Sequence, residues 1–352
     1  MPYDDTFLRA CRRESVDYTP IWMMRQAGRY LAEYRAIREK HGFLDMCRTP
    51  ELAVEVTLQP VDLVGVDAAI LFSDILVPLP GMGLDLEFAA GEGPVIHNPV
   101  RTAADVAKLR VSDPIEDTGY VMEAIKILRR ELENKVPLIG FAGAPFTMAS
   151  YMVEGGSTRE YINCKRLMWE DPAAWDALMT VAGDTIIAYL SAQIDAGAQA
   201  VQVFDSWVGY VAPRDYERSV LPHTKRVIDT LELKGVPVIY FPNGATSMLE
   251  LAAQAGGDVI GVDWRIDIAK AFDIVGPSRA VQGNIDPIAL FAPDDALETI
   301  VVDILEAVGD RPGHVFNLGH GIQKTTDPEK ARTLVRLVHE HSRRIRGAKK
   351  GV

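Results

Sequence analysis

The chain has 352 residues, 48% of them hydrophobic and 24% charged, with a formal net charge of −12. That is enough apolar material for a large core, and the acidic balance argues against nucleic acid, whose phosphates favour basic surfaces. Three scattered cysteines (Cys11, Cys47, Cys164), a polar N-terminal region without a leader, and no run near the roughly 20 apolar residues of a membrane span indicate a reduced, cytoplasmic protein with no membrane contact.

The first element is Ile21–Met24, a short apolar run that leads straight into Arg25, Gln26, Ala27, Gly28 and Arg29, with Arg35 and Arg38 beyond. Arginine presents a planar fork that meets carboxylates and phosphates two bonds at a time. Two arginines behind a strand could be ordinary surface charges. Their position, with Gly28 permitting close backbone approach, equally suits a site for a multiply anionic ligand.

Seven further strand candidates follow: Ala68–Phe72, Pro137–Phe141, Ala200–Phe204, Val236–Phe241, Val259–Val262, Arg279–Val281 and His314–Leu318. They are apolar on both faces, as buried parallel strands are. Helical patterns lie between them, at Thr118–Leu132, Pro172–Asp195, Arg214–Glu232, Ser247–Ala255 and Asp294–Val308. This alternation predicts an α/β fold, a (β/α)₈ TIM-type barrel in one domain over residues 1–352. A doubly wound dinucleotide fold would need a Gly-rich turn after its first strand, where this chain has Arg-Gln-Ala-Gly-Arg. Leu84–Val100 breaks the rhythm with two alternating runs around Gly91-Glu-Gly93, and is expected to be a β-hairpin insertion after the second strand. The basic tail from His341 to Val352 is expected to be solvated and partly frayed.

In such a barrel the chemistry sits where strands end. Asp74 follows the second strand and could cap a turn, accept ligand N–H groups or offset a cationic intermediate. Tyr151, near Gly155-Gly156, could be core or site. Ser206, after Phe204-Asp205, could be a turn residue; it lacks a Gly-x-Ser-x-Gly elbow and is excluded as a nucleophile. His320 stands between Gly319 and Gly321, with no histidine or cysteine at zinc-ligand spacing around it, so no metal is expected. The chain also lacks Gly-rich phosphate loops.

Pro20-Ile-Trp-Met-Met-Arg-Gln-Ala-Gly-Arg-Tyr-Leu31 closely resembles the N-terminal signature of the uroporphyrinogen decarboxylase family. Phe72–Leu76, Gly143–Thr147, Tyr151–Gly156, Phe204–Trp207 and Asn317–Ile322 resemble its other blocks, in order. Ala32 and Gln323-Lys324 depart from it, standing where the family usually has proline. The resemblance implies a barrel carboxy-lyase, typically a homodimer, that uses neither metal nor organic cofactor. It converts uroporphyrinogen III to coproporphyrinogen III in haem synthesis, turning four acetate side chains into methyl groups with loss of four CO₂. It also implies that Arg25, Ala27, Arg29, Arg38, Asp74, Tyr151, Ser206 and His320 match substrate-contacting positions, with Gln26 and Gly28 inside the same first block. Asp74 is then expected to stabilise the transition state, and Arg25 and Arg29 to clamp substrate, with Arg29 also a candidate proton donor. Two other classes share the implied fold or ligand: a corrinoid- or zinc-dependent methyltransferase and a non-catalytic tetrapyrrole carrier.

Overall fold

A computed structural model of the chain describes residues 4–89, 93–156, 158 and 160–347. Its strands are β1 (Ala69–Ile70), β2 (Leu86–Ala89), β3 (Gly93–Ile96), β4 (Leu138–Gly143), β5 (Ala200–Asp205), β6 (Val238–Pro242), β7 (Val259–Gly261), β8 (Ala280–Gln282) and β9 (His314–Val315). Seven of them form one parallel sheet in the order β1-β4-β5-β6-β7-β8-β9. Every residue of β4 is buried, as expected of a strand covered on both faces. Helices Pro172–Ala196, Leu221–Glu232, Leu249–Ala253, Ile268–Val275 and Asp294–Val308 fall between successive strands. β2 and β3 pair antiparallel, with Leu86 opposite Ile96, as the expected hairpin; its tip at Ala90, Gly91 and Glu92 lies outside the described residues.

The expected first strand, Ile21–Met24, is a single parallel bridge from Ile21 to Phe316. It still closes the sheet on itself. Phe316 N–H donates to Pro20 O (2.8 Å) on one side, and Asp67 N–H donates to Ile21 O (2.8 Å) on the other. The ladder stays short because side chains take its donors. Asp67 Oδ2 accepts the Ile21 N–H (2.7 Å) and Asn317 Oδ1 accepts the Met24 N–H (3.1 Å). Inside the barrel a polar chain crosses the core: Trp22 Nε1–H donates to Gln282 Oε1 (2.9 Å), and Gln282 Nε2–H to Gln202 Oε1 (3.1 Å). Because β5 and β8 are not neighbours, Gln202 must face inward, and so must Phe204 two residues on.

Four further expectations are corrected. Arg214–Glu232 is two helices, Pro213–Ser219 and Leu221–Glu232, broken at Val220. Pro222 has no N–H and its ring collides with the carbonyl four residues back. Ser247–Ala255 shortens to a 3₁₀ turn, Thr246–Met248, and the helix Leu249–Ala253. The tail is not frayed as far as Gly347: it is the end of a helix, Pro328–Gly347, with Ser342 buried and its Oγ accepting Thr19 N–H (3.0 Å). Residues 348–352 lie outside the described residues. Helix Pro172–Ala196 is long and apolar enough to span a membrane by length and composition, contrary to expectation. It is instead held as a barrel helix, for Gln193 bonds both the N–H and the C=O of Phe141 (2.9 and 3.0 Å).

Candidate active site

The turn after Ile21–Met24 is shaped by side chains that never reach the mouth. Gln26 is fully buried; its Oε1 accepts Met23 N–H (3.0 Å) and its Nε2–H donates to Ala68 O (3.0 Å), tying the turn to β1. Arg25 takes a left-handed φ of 62°. Gly28 is required because a Cβ there would lie 2.7 Å from Arg25 O. Arg35 is a brace, donating to Arg29 O (2.8 Å) and Tyr30 O (3.0 Å). Arg25, Arg29 and Arg38 are left exposed, with Ala27 half-buried between the first two. Arg38 donates to His41 O (2.8 Å), and its electrostatic neighbour, like that of Arg29, is Tyr34.

Of the readings made of Asp74, the structure shows the cap. Oδ1 accepts Leu76 N–H (2.9 Å) and so caps the turn after β1. The second oxygen takes no hydrogen bond from the described residues. Burial raises the carboxyl above its ordinary range, while the Leu76 bond and the Arg25 charge pull it back. Tyr151 lies on helix Pro145–Glu154 with its ring edge-to-face on Trp207, centroids 6.0 Å apart. Its hydroxyl is pushed up to about 12 by burial and by the Asp74 charge, against a Trp207 hydrogen bond and Arg25. It stays a donor at any physiological pH.

His320 completes this side. Gly319 lets its segment close on the end of β7, since a Cβ there would meet Trp264 N at 2.7 Å. Arg25 lies across Gly321, where a Cβ would fall 2.4 Å from its Cδ. His320 Nδ1 accepts Gly321 N–H (2.8 Å), which puts the proton of the neutral ring on Nε2. Burial lowers its pKa, and the charges of Arg25 and Arg265 lower it further against Asp263. Arg25, Asp74, Tyr151 and His320 thus share one electrostatic neighbourhood. Ser206 follows β5 with its carbonyl fixed by Asn243 Nδ2–H (3.1 Å) and its hydroxyl half-exposed at the rim. Inward-facing Phe204 stands edge-to-face with Phe141 (5.6 Å) and Phe241 (6.3 Å), an apolar floor beneath the polar groups.

A family model described as uroporphyrinogen decarboxylase (URO-D) matches residues 2–341. The chain belongs to the uroporphyrinogen decarboxylase family. The uroporphyrinogen decarboxylase of Carboxydothermus hydrogenoformans is 64% identical over 339 residues, 96% of this chain and 97% of that one. That of Sorangium cellulosum is 56% identical over 335 residues, 95% of this chain and 96% of that one. Among solved structures, a methyltransferase from Methanosarcina mazei matches with a TM-score of 0.80 over 95% of this chain and 97% of that one. At 21% identity it establishes the fold alone.

Two departures from the uroporphyrinogen decarboxylase pattern are mild in this structure. Ala32 is the first residue of helix Ala32–Arg38, where proline would fit without loss of a helical hydrogen bond and alanine fits as well. Gln323 opens an exposed turn closed by Thr326 N–H on Gln323 O (3.1 Å).

Two acidic residues at strand ends had no role in the sequence reading. Asp205 is fully buried behind the barrel wall, accepting Thr147 Oγ1–H (2.9 Å) and Tyr240 O–H (3.0 Å), and is pushed up to about 7 by burial. It holds the first turn of the helix that carries Tyr151. Asp263 anchors Arg265 beside His320. Their only sequence signal was position at a strand end. A cleft of about 630 Å³ lies between helices Leu249–Ala253 and Ile268–Val275; it shares Arg265 with the mouth and none of Arg25, Asp74, Tyr151 or His320. Among the described residues no group of three His, Cys, Asp or Glu is arranged to hold a metal.

Proposed function

We propose that the mouth formed by Arg25, Asp74, Tyr151 and His320 carries out the decarboxylation of uroporphyrinogen, the reaction of this chain in tetrapyrrole synthesis. The observation that carries it is Asp74, a half-buried carboxylate with one oxygen unclaimed among the described residues, which feels the Arg25 guanidinium and acts on the Tyr151 phenol.

Losing CO₂ from an acetate arm leaves an electron pair that needs a sink. Protonating the pyrrole carbon beside the arm makes the ring cationic. The arm's C–C bond to its carboxylate then breaks, its electrons neutralise the ring, and CO₂ leaves. A second proton converts the exocyclic methylene to methyl, and the ring returns the first. One proton is consumed per CO₂, and no organic cofactor or metal is required. Asp74 accepts the pyrrole N–H and offsets the cation, an effect largest in a water-poor site. Arg25, Arg29 and Arg38 bind side-chain carboxylates as forks. Tyr151, the Nε2–H of His320 and the Ser206 hydroxyl add neutral donors, while Gln26, Ala27 and Gly28 shape the loop. Arg29 remains a candidate proton donor. The phenylalanine floor gives the macrocycle an apolar seat.

The test is anaerobic incubation of the purified protein with uroporphyrinogen III, followed by product analysis. Four equivalents of CO₂ and coproporphyrinogen are expected. Substrate recovered unchanged would leave only a tetrapyrrole carrier, and methyl transfer to a thiol instead of CO₂ release would favour a methyltransferase. The chain further works, on this reading, as a cytoplasmic homodimer of one-domain subunits; a monomer in sedimentation equilibrium at micromolar concentration would overturn the dimer.

A further inference from the structure

One guanidinium at the mouth is left without a task. Arg265 follows Asp263 and Trp264 at the end of β7 and carries a side chain 51% exposed. Its partner is almost wholly buried. Asp263 accepts Gly244 N–H (2.9 Å), Thr246 Oγ1–H (3.3 Å), Arg265's own backbone N–H (2.9 Å) and Arg265 Nη1–H (2.8 Å). Three of those four donors remain if the Arg265 side chain is removed, so the carboxylate does not depend on it for satisfaction. The dependence runs the other way: a rigid, saturated carboxylate holds the arginine by one of its five N–H groups.

A second contact fixes the plane. Arg265 Cζ lies 4.3 Å from the Trp264 ring centroid, and Trp264 is itself wedged against Gly319. A guanidinium stacked on one face and tethered at one corner presents a preorganised fork along its remaining edge. Arg265 also borders the roughly 630 Å³ cleft between helices Leu249–Ala253 and Ile268–Val275. Arg265 and Arg25 both act on His320, one from the β7 loop and the other from the loop before β1. The imidazole is bracketed by two cations. Three arginines cannot fork eight carboxylates, and the β1 side of the mouth holds all three of those assigned so far.

We propose that Arg265 is a further substrate-binding residue, forking one side-chain carboxylate of the macrocycle on the β7 side of His320. The inference rests on the reading of the mouth as the uroporphyrinogen site.

Steady-state kinetics of Arg265→Gln with uroporphyrinogen at low and high salt test it. KM rises about tenfold, the loss of one charge-assisted hydrogen-bonded contact. Meanwhile kcat stays within about twofold, the salt dependence of KM flattens, and the melting temperature holds. Arg265→Lys recovers part of the KM loss, because it restores the charge without the fork. An Arg265→Gln enzyme with wild-type KM and salt dependence overturns the proposal. Arg25→Gln in the same assay separates the two levels. If it raises KM while Arg265→Gln does not, this inference alone falls; if neither does, the assignment of the mouth falls too. Should Arg265→Gln not fold, Arg265→Met, which keeps an apolar stem against Trp264 and leaves Asp263 with its three other donors, carries the same KM test.

Discussion

Two strand ends carry the same three residue types with the last two exchanged: Phe72-Ser73-Asp74 after β1 and Phe204-Asp205-Ser206 at β5. After β1 the carboxylate gives one oxygen to a backbone N–H and leaves the other without a hydrogen bond among the described residues. At β5 the carboxylate sits one position earlier, and because Phe204 faces inward, Asp205 leaves on the opposite face. There it spends both oxygens on Thr147 and Tyr240, with Tyr216 O–H 3.2 Å from Tyr240 O–H behind it. Burial raises the pKa of both acids. On the proposed reading, what separates Asp74 from Asp205 is that one Asp74 oxygen has no hydrogen bond among the described residues, whereas Asp205 spends both.

The sharpest way to break this contrast is Asp74→Asn. It keeps the shape and the turn cap but removes the charge that offsets the cationic ring. A fall in kcat of about 10²–10³-fold is expected, with thermal stability retained. Near-normal turnover would mean the two acids do not differ as argued. Gly28→Ala comes next. A Cβ 2.7 Å from Arg25 O forces the turn to move, so kcat/KM for uroporphyrinogen drops about tenfold, with a stability loss of about 1–2 kcal/mol by denaturant titration.

Asp205 gives a pH signature that Asp74 cannot mimic in activity. Its folded pKa, about 7, lies above the unfolded carboxylate value. Between the two the folded state holds a proton that the unfolded state has released. Stability therefore falls as pH rises towards 7 and is flat above, at up to about 1.4 kcal/mol per unit. Asp205→Asn should remove that slope from urea midpoints measured between pH 5 and 8; an unaltered slope would assign it elsewhere. The smallest effect belongs to Arg38→Ala, at the exposed end of its helix. A KM rise of about threefold is expected, smaller than at the other forks because Arg38 already gives an N–H to His41 O and has no face stacked or tethered by a carboxylate.

Much of this site was legible before any coordinates. The arginine run, the strand ends and the alternation that makes a barrel are all local patterns, and the structure brings Arg25, Asp74, Tyr151 and His320 together as strand-end logic requires. What stayed hidden depended on distant partners. Nothing near Asp205 in sequence announces Tyr240, and nothing near Gln26 announces Ala68, so a buried framing residue looked like either a rim group or a ligand contact. The Ile21–Met24 strand was misjudged in length because its hydrogen bonds go to the side chains of Asp67 and Asn317. The helix Pro328–Gly347 was missed as far as Gly347 because its basic end reads as solvent-facing, although Ser342 is buried against Thr19.

That last helix sets an order of assembly. The segment bearing Arg25 is held by Phe316, Asn317 and Ser342, some 300 residues further along the chain. His339 Nε2 lies 2.8 Å from Asp67 Oδ2, the oxygen that also receives the Ile21 N–H. Contacts so remote in sequence form late, since the loop they close is the whole barrel. The turn can be tied early to Asp67 and Ala68, but its closure onto Phe316 and Asn317 waits for the C-terminal elements. In pulse-labelled refolding, the amides of Trp22 and Met24, which donate to Phe316 and Asn317, should gain protection after those of β4 and β5.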